Sequence, residues 1–149
     1  MTIQRFQRGT LLALSGLVAL TAIAGAIWVV PTIPMEWIKR GPFTDWTVPA
    51  LALGFVGVLA VVTFVALAVR PWIGALLSIV AGAAMVVFEL VEIVVVGWTL
   101  ADPGPEYFQA WLQLVYLVVG SGLMLVGYAY WRRIREAAPT IPVLHPVPG

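Results

Sequence analysis

The chain has no cysteine, a single histidine, and charged side chains at only 10% of its 149 positions. Without cysteine there are no disulfides, no thiolate metal sites and no thiol nucleophile, and the redox compartment is left open. The one histidine, His145, falls in a proline-rich stretch close to the C-terminus. The apolar part of the chain therefore has no histidine for serine–histidine catalysis, metal binding or haem ligation. The shortage of charge is more informative still. A soluble domain carries about 25% charged residues, and a small chain has too much surface to dispense with them. Here 62% of residues are hydrophobic and the mean hydropathy is +1.02. Most of this protein is solvated by lipid. The net charge of +1 gives no electrostatic footprint for nucleic acid.

What charge there is divides the chain into spans. No charged residue lies between Arg8 and Glu36, between Asp45 and Arg70, or between Glu106 and Arg132. Each gap exceeds the roughly 20 residues needed to cross about 30 Å of hydrocarbon. A fourth stretch, Trp72 to Trp98, has the length but holds two glutamates. These limits predict helices over 9–30, 48–69, 72–98 and 108–131. Pro31 and Pro34 should end the first helix, and Pro49 suits the first turn of the second. "RPW" (Arg70 to Trp72) predicts a very tight turn, and "ADPGPEY" (Ala101 to Tyr107) a break before the fourth helix. Trp28, Trp37, Trp46, Trp72, Trp98, Tyr107, Tyr130 and Trp131 gather near span ends, as an interfacial belt requires. The expected fold is an all-α integral membrane bundle of four antiparallel helices over 1–136, followed by a proline-rich tail over 137–149.

Arg5, Arg8, Arg70, Arg132, Arg133 and Arg135 fall on one side of this arrangement, Lys39 and Arg40 on the other. By the positive-inside bias both termini are expected to be cytoplasmic. "RRIRE" (Arg132 to Glu136) reads first as this topology signal and only second as a lipid site. "AGA" (Ala24 to Ala26) resembles a signal-peptidase site, but the apolar run is too long for a signal peptide and no soluble domain follows it. Helix one is expected to be retained.

Helices in lipid associate through close packing and polar contacts, so small residues mark their seams. Such stripes occur at Ser15, Ala19, Ala22 and Ala26; at Ala50, Gly54, Gly57 and Val61; and at Gln113, Tyr116, Gly120 and Gly127. The third helix offers Gly74, Ser78, Ala81, Met85, Glu89 and Glu92, and here the seam ends in the two carboxylates of "FELVEIVVVGW" (Phe88 to Trp98). "GSG" (Gly120 to Gly122) lies inside a span with no strand before it, so it reads as packing and not as a phosphate loop.

Glu89 and Glu92 are neighbours on one helix face, about 4.5 Å apart in rise. Matching depths on the returning helix puts Gln113 beside Glu92 and Tyr116 a turn deeper, near Glu89. The expected site is a polar layer of Glu89, Glu92, Gln113 and Tyr116 in the outer half of the bundle. Even one ionised carboxylate near the bilayer centre costs at least about 2.5–3.5 kcal/mol, and the spans contain no lysine or arginine to offset it. The pair cannot be charged, dry and unpaired together. Three escapes remain open: protonation, water from outside, or something positive that binds, whether a cation, an amine or a basic residue of another chain. A purely structural role, with protonated glutamates bonded to Gln113 and Tyr116, also remains open. No nucleophile or oxyanion site accompanies the carboxylates, so an enzyme is not expected, and no cofactor is indicated.

"GPFTDWTVPALALG" (Gly41 to Gly54), "VEIVVVG" (Val91 to Gly97) and "LQLVYLVVG" (Leu112 to Gly120) carry a resemblance. They are similar to the motifs of a family of small, uncharacterised four-span bacterial membrane proteins. That family has a PF-x-D-aromatic loop before helix two, V-E-I in helix three and L-Q-x-x-Y in helix four. The resemblance implies the four-span fold and a pairing of Glu92 with Gln113 and Tyr116. It implies no activity, and Glu89 matches no position of its motifs. Phe43, Asp45 and Trp46 belong to an outer loop expected to lie on the membrane or to cover the polar layer, with Asp45 capping the second helix. Besides the bilayer, the expected partners are other membrane subunits or further copies of the chain. Functionally the sequence points to an accessory or assembly subunit or a small-ligand binder. The other reading is an oligomeric transporter coupled to protons or cations through Glu89 and Glu92.

Overall fold

A computed structural model describes residues 2–32, 45, 47–96 and 107–137. These form α1 (Thr2–Ala24), α2 (Thr47–Val69), α3 (Pro71–Val96) and α4 (Tyr107–Glu136). There is no strand among the described residues. All four helices are long and apolar enough to cross a membrane. The tail from residue 138 on, most of the loop before α2 and the connection before α4 lie outside the described residues.

Three boundaries differ from the sequence expectation. α1 begins at Thr2 and not near Gly9, and α4 runs on to Glu136. Arginine is a good helix former, so the basic residues that end the apolar run do not end the helix. The α-helical part of α1 stops early, at Ala24. It passes into a π-helical turn (Gly25–Val29) and a 3₁₀ turn (Val30–Thr32) that takes in Pro31. The "RPW" turn is as tight as expected. Arg70 alone separates α2 from α3, and its N–H still donates to Ala66 O at 2.7 Å. Asp45 Oδ1 accepts the Thr47 N–H at 2.8 Å and caps α2. That backbone hydrogen bond holds its carboxyl below the usual carboxylate range, since it stabilises the ionised form.

α1 packs on α2 and α4, α2 on α3, and α3 most extensively on α4. Neighbours run antiparallel. Gly57 meets Ile23 while Gly16 meets Phe64, and Gly127 meets Ser78 while Gly120 meets Met85. The expected seams hold closely for α3, where Gly74, Ser78, Ala81 and Met85 are all buried, and for Ser15, Ala19 and Ala22 of α1. On α2 the seam is displaced. Val61 is 40% exposed, and the buried stripe beyond Gly57 continues through Ala60, Thr63 and Leu67. The apolar composition of α2 is nearly uniform, so small residues alone could not fix which side faces inward. Of the aromatics expected near span ends, Tyr130 is buried in the core, 5% exposed, while Trp28 and Trp72 are exposed, as is Tyr128; Trp37, Trp46 and Trp98 lie outside the described residues.

Buried hydroxyls are satisfied within their own helices. Ser15 Oγ donates to Leu11 O (2.7 Å), Ser78 Oγ to Gly74 O (2.8 Å) and Thr63 Oγ1 to Leu59 O (2.8 Å). This back-bonding to the preceding turn lets small polar residues line the seams without needing a partner across them. One cross-helix polar contact secures the opposite end of the bundle from Asp45. Arg8 of α1 donates from Nε to Leu67 O (3.0 Å) and from Nη2 to Ala68 O (2.8 Å), so a cation occupies the negative end of the α2 dipole.

Candidate functional site: a carboxylate layer in the bundle

The α3–α4 register, read from Ser78 at Gly127 and Met85 at Gly120, carries on to the polar residues. Gln113 Nε2 donates to Glu92 Oε1 at 3.0 Å. Gln113 is only 1% exposed, so this hydrogen bond is made in a medium of low dielectric, where it is electrostatically stronger than in water. Glu92 stands four residues from Val96, the last described residue of α3, roughly 6 Å of rise. The layer thus lies near the end of the bundle marked by Asp45, far from Arg8.

Glu89 lies almost one turn deeper, within electrostatic reach of Glu92. Its Oε2 is buried and has no hydrogen-bond partner among the described residues. Buried polar atoms without partners are rare and costly, and this one belongs to a group that can ionise. Tyr116 is placed against Glu89, as the depth matching suggested, and its hydroxyl also faces Thr21 of α1. Thr21 Oγ1 donates to Leu17 O at 2.8 Å, which leaves its oxygen to accept.

The structure therefore brings Glu92 and Gln113 into direct contact and sets Glu89 and Tyr116 beside them. Tyr116 turns to Glu89 and Thr21, whereas the family resemblance implied a pairing with Glu92. Thr21 is the contributor that sequence reasoning did not single out. The available signal was that it carries the one hydroxyl in the outer half of the first predicted helix, off the small-residue stripe. Asp45 caps α2; Phe43 and Trp46 lie outside the described residues. Chemically the layer offers carboxylate oxygens and amide and phenol groups, with no lysine, arginine or histidine in α1 beyond Arg8, in α2, or in α3. Such a set suits a proton, a small cation or an amine. No group of three or more histidine, cysteine or acidic residues is placed to hold a metal among the described residues.

The chain matches no protein family model, no curated protein and no solved structure.

Proposed function

We propose that this is a non-enzymatic, multi-pass protein of a bacterial cytoplasmic membrane, with both termini cytoplasmic, whose polar layer binds a small positive species reaching it from the outer side. One observation carries this reading: a buried carboxylate oxygen of Glu89, without a hydrogen-bond partner among the described residues, stands beside a second carboxylate that is already held by Gln113. A bound proton, metal cation or ammonium group would satisfy that oxygen and remove the like-charge repulsion together. At pH 7 the pair is expected to hold one positive species. Infrared difference spectra of the carboxyl bands between pH 5 and 9, with and without sodium or an alkylamine, would detect it. Glu89→Gln should erase the response while the protein stays folded. Two ionised carboxylates at pH 7 with no bound cation would sink the proposal.

A second observation favours service in a larger assembly. Along the outer face of α1, a groove of about 310 Å³ is lined by Gly16, Ala19, Leu20, Ile23, Ala24 and Trp28, among others. Its exposed walls, Leu20 and Trp28 of the first span and Val61 of α2, are apolar side chains that another transmembrane helix can pack against. An accessory subunit should co-purify with larger membrane partners in mild detergent. A transporter coupled through Glu89 and Glu92 should purify alone as a homo-oligomer and move substrate in liposomes.

A further inference from the structure

The end of the bundle opposite the carboxylates gathers arginines from three separate parts of the chain. Arg8 touches the last carbonyls of α2 and lies in electrostatic reach of Tyr130 on α4. The start of α1, the α2–α3 turn with Arg70, and the last turns of α4 with Arg132, Arg133 and Arg135 therefore share one end. The only acidic side chain in these segments is Glu136. It is engaged by Arg132, whose Nε donates to Glu136 Oε1 at 2.6 Å. Arg5, Arg70 and Arg133 are exposed and have no acidic partner among the described residues. On α4 a ladder of side chains continues the pattern along the helix. Exposed Tyr128 packs on Trp131 with ring centroids 6.1 Å apart, and the Arg135 guanidinium stands 4.8 Å over the Trp131 ring.

We propose that this end is a binding surface for anionic phospholipids, with the arginines taking the headgroup phosphate and the Tyr128–Trp131 edge taking the upper part of the acyl chains. The inference is independent of the carboxylate layer. Guanidinium groups bind phosphate through two parallel hydrogen bonds, which an ammonium cannot do, and every cationic side chain in these segments is an arginine. Tryptophan settles at headgroup depth. A guanidinium held over it by cation–π attraction is thus presented at the level of the phosphates. An apolar aromatic edge leading directly into a cation fits a lipid better than a free phosphate ion, which has nothing to place against Tyr128. A topology signal acts on the chain during insertion and requires no retained lipid in the folded protein. That difference can be measured.

The purified protein would be exposed to equal amounts of dioleoyl phosphatidylglycerol and dioleoyl phosphatidylcholine, and the retained lipids counted by native mass spectrometry. The expected result is a phosphatidylglycerol preference that declines with added sodium chloride. The triple variant Arg5→Gln/Arg70→Gln/Arg133→Gln, which spares the Arg8 cap and the Arg132–Glu136 pair, should lower that preference by about tenfold or more. Should the variant not fold, Trp131→Leu and the salt dependence of the wild type provide the same test, since both should weaken retention. Equal retention of the two lipids by the wild type would overturn the proposal. So would displacement of phosphatidylglycerol by millimolar inorganic phosphate, which would assign the site to the free anion.

Discussion

Gly82→Leu is expected to prevent the four helices from assembling, and Gly82→Ala to cost about 1–3 kcal/mol. An added Cβ at Gly82 would strike the Gly120 carbonyl oxygen and stand 2.8 Å from the Met124 backbone nitrogen. Backbone cannot move aside as a flexible side chain can, so the crossing of α3 and α4 must open. Every residue of the carboxylate layer except Thr21 depends on that crossing. Gly9 provides the control, because an added Cβ there meets nothing within 4 Å. Gly9→Ala should be neutral or stabilise by up to about 1 kcal/mol through helix propensity. Circular dichroism during thermal or dodecyl sulfate denaturation in detergent would compare the three variants. If Gly82→Leu melts like the wild type, α3 and α4 do not meet at this glycine.

The two glutamates are expected to respond to leucine with opposite signs. Glu92→Leu removes an acceptor that the buried Gln113 amide uses, and should lower stability by about 1–3 kcal/mol. Glu92→Gln keeps an acceptor oxygen and should cost little. Glu89→Leu removes a buried oxygen that has no partner among the described residues. It should leave stability unchanged or raise it by about 1–3 kcal/mol. The same unfolding measurement in detergent distinguishes the two. A loss of stability in Glu89→Leu as large as in Glu92→Leu would mean that both carboxylates serve only to hold the bundle together. A gain in stability that comes with a loss of cation or proton binding is the trade expected where a site is kept at the expense of the fold.

The four long apolar helices, their antiparallel order and the α3–α4 seam were legible because each rests on a pattern that an apolar solvent enforces strictly. A charge inside a span is costly, so charge-free runs mark the helices; close helix contact requires small residues, so Ser78, Gly120 and Gly127 mark the crossing. Depth matching along two antiparallel helices was enough to set Glu92 at Gln113. The remaining features leave no compositional trace. The π turn at Gly25–Val29 involves one extra residue in a turn, and no residue type encodes it. The buried side of α2 escaped detection because valine, leucine and alanine surround the whole helix. Thr21 was missed because a single hydroxyl facing a tyrosine on another helix carries no periodic signal. Arg8 read as a topology charge, and only the three-dimensional structure shows it holding the carbonyls of α2.

With a single residue between them, α2 and α3 form a pair of levers joined at a vertex. Gly74 lies so close to the Leu67 backbone that a Cβ would collide with it, and Arg8 ties the same end to α1. The vertex can hardly slide or spread, so any relative motion of the two helices is a pivot about Arg70. Displacement grows with distance from a pivot, and Glu92 is roughly 33 Å along α3 from this one, where a tilt of about 5° moves a side chain by roughly 3 Å. The carboxylates therefore occupy the part of the bundle where a small angular change produces the widest separation, and the arginines the part where it produces almost none.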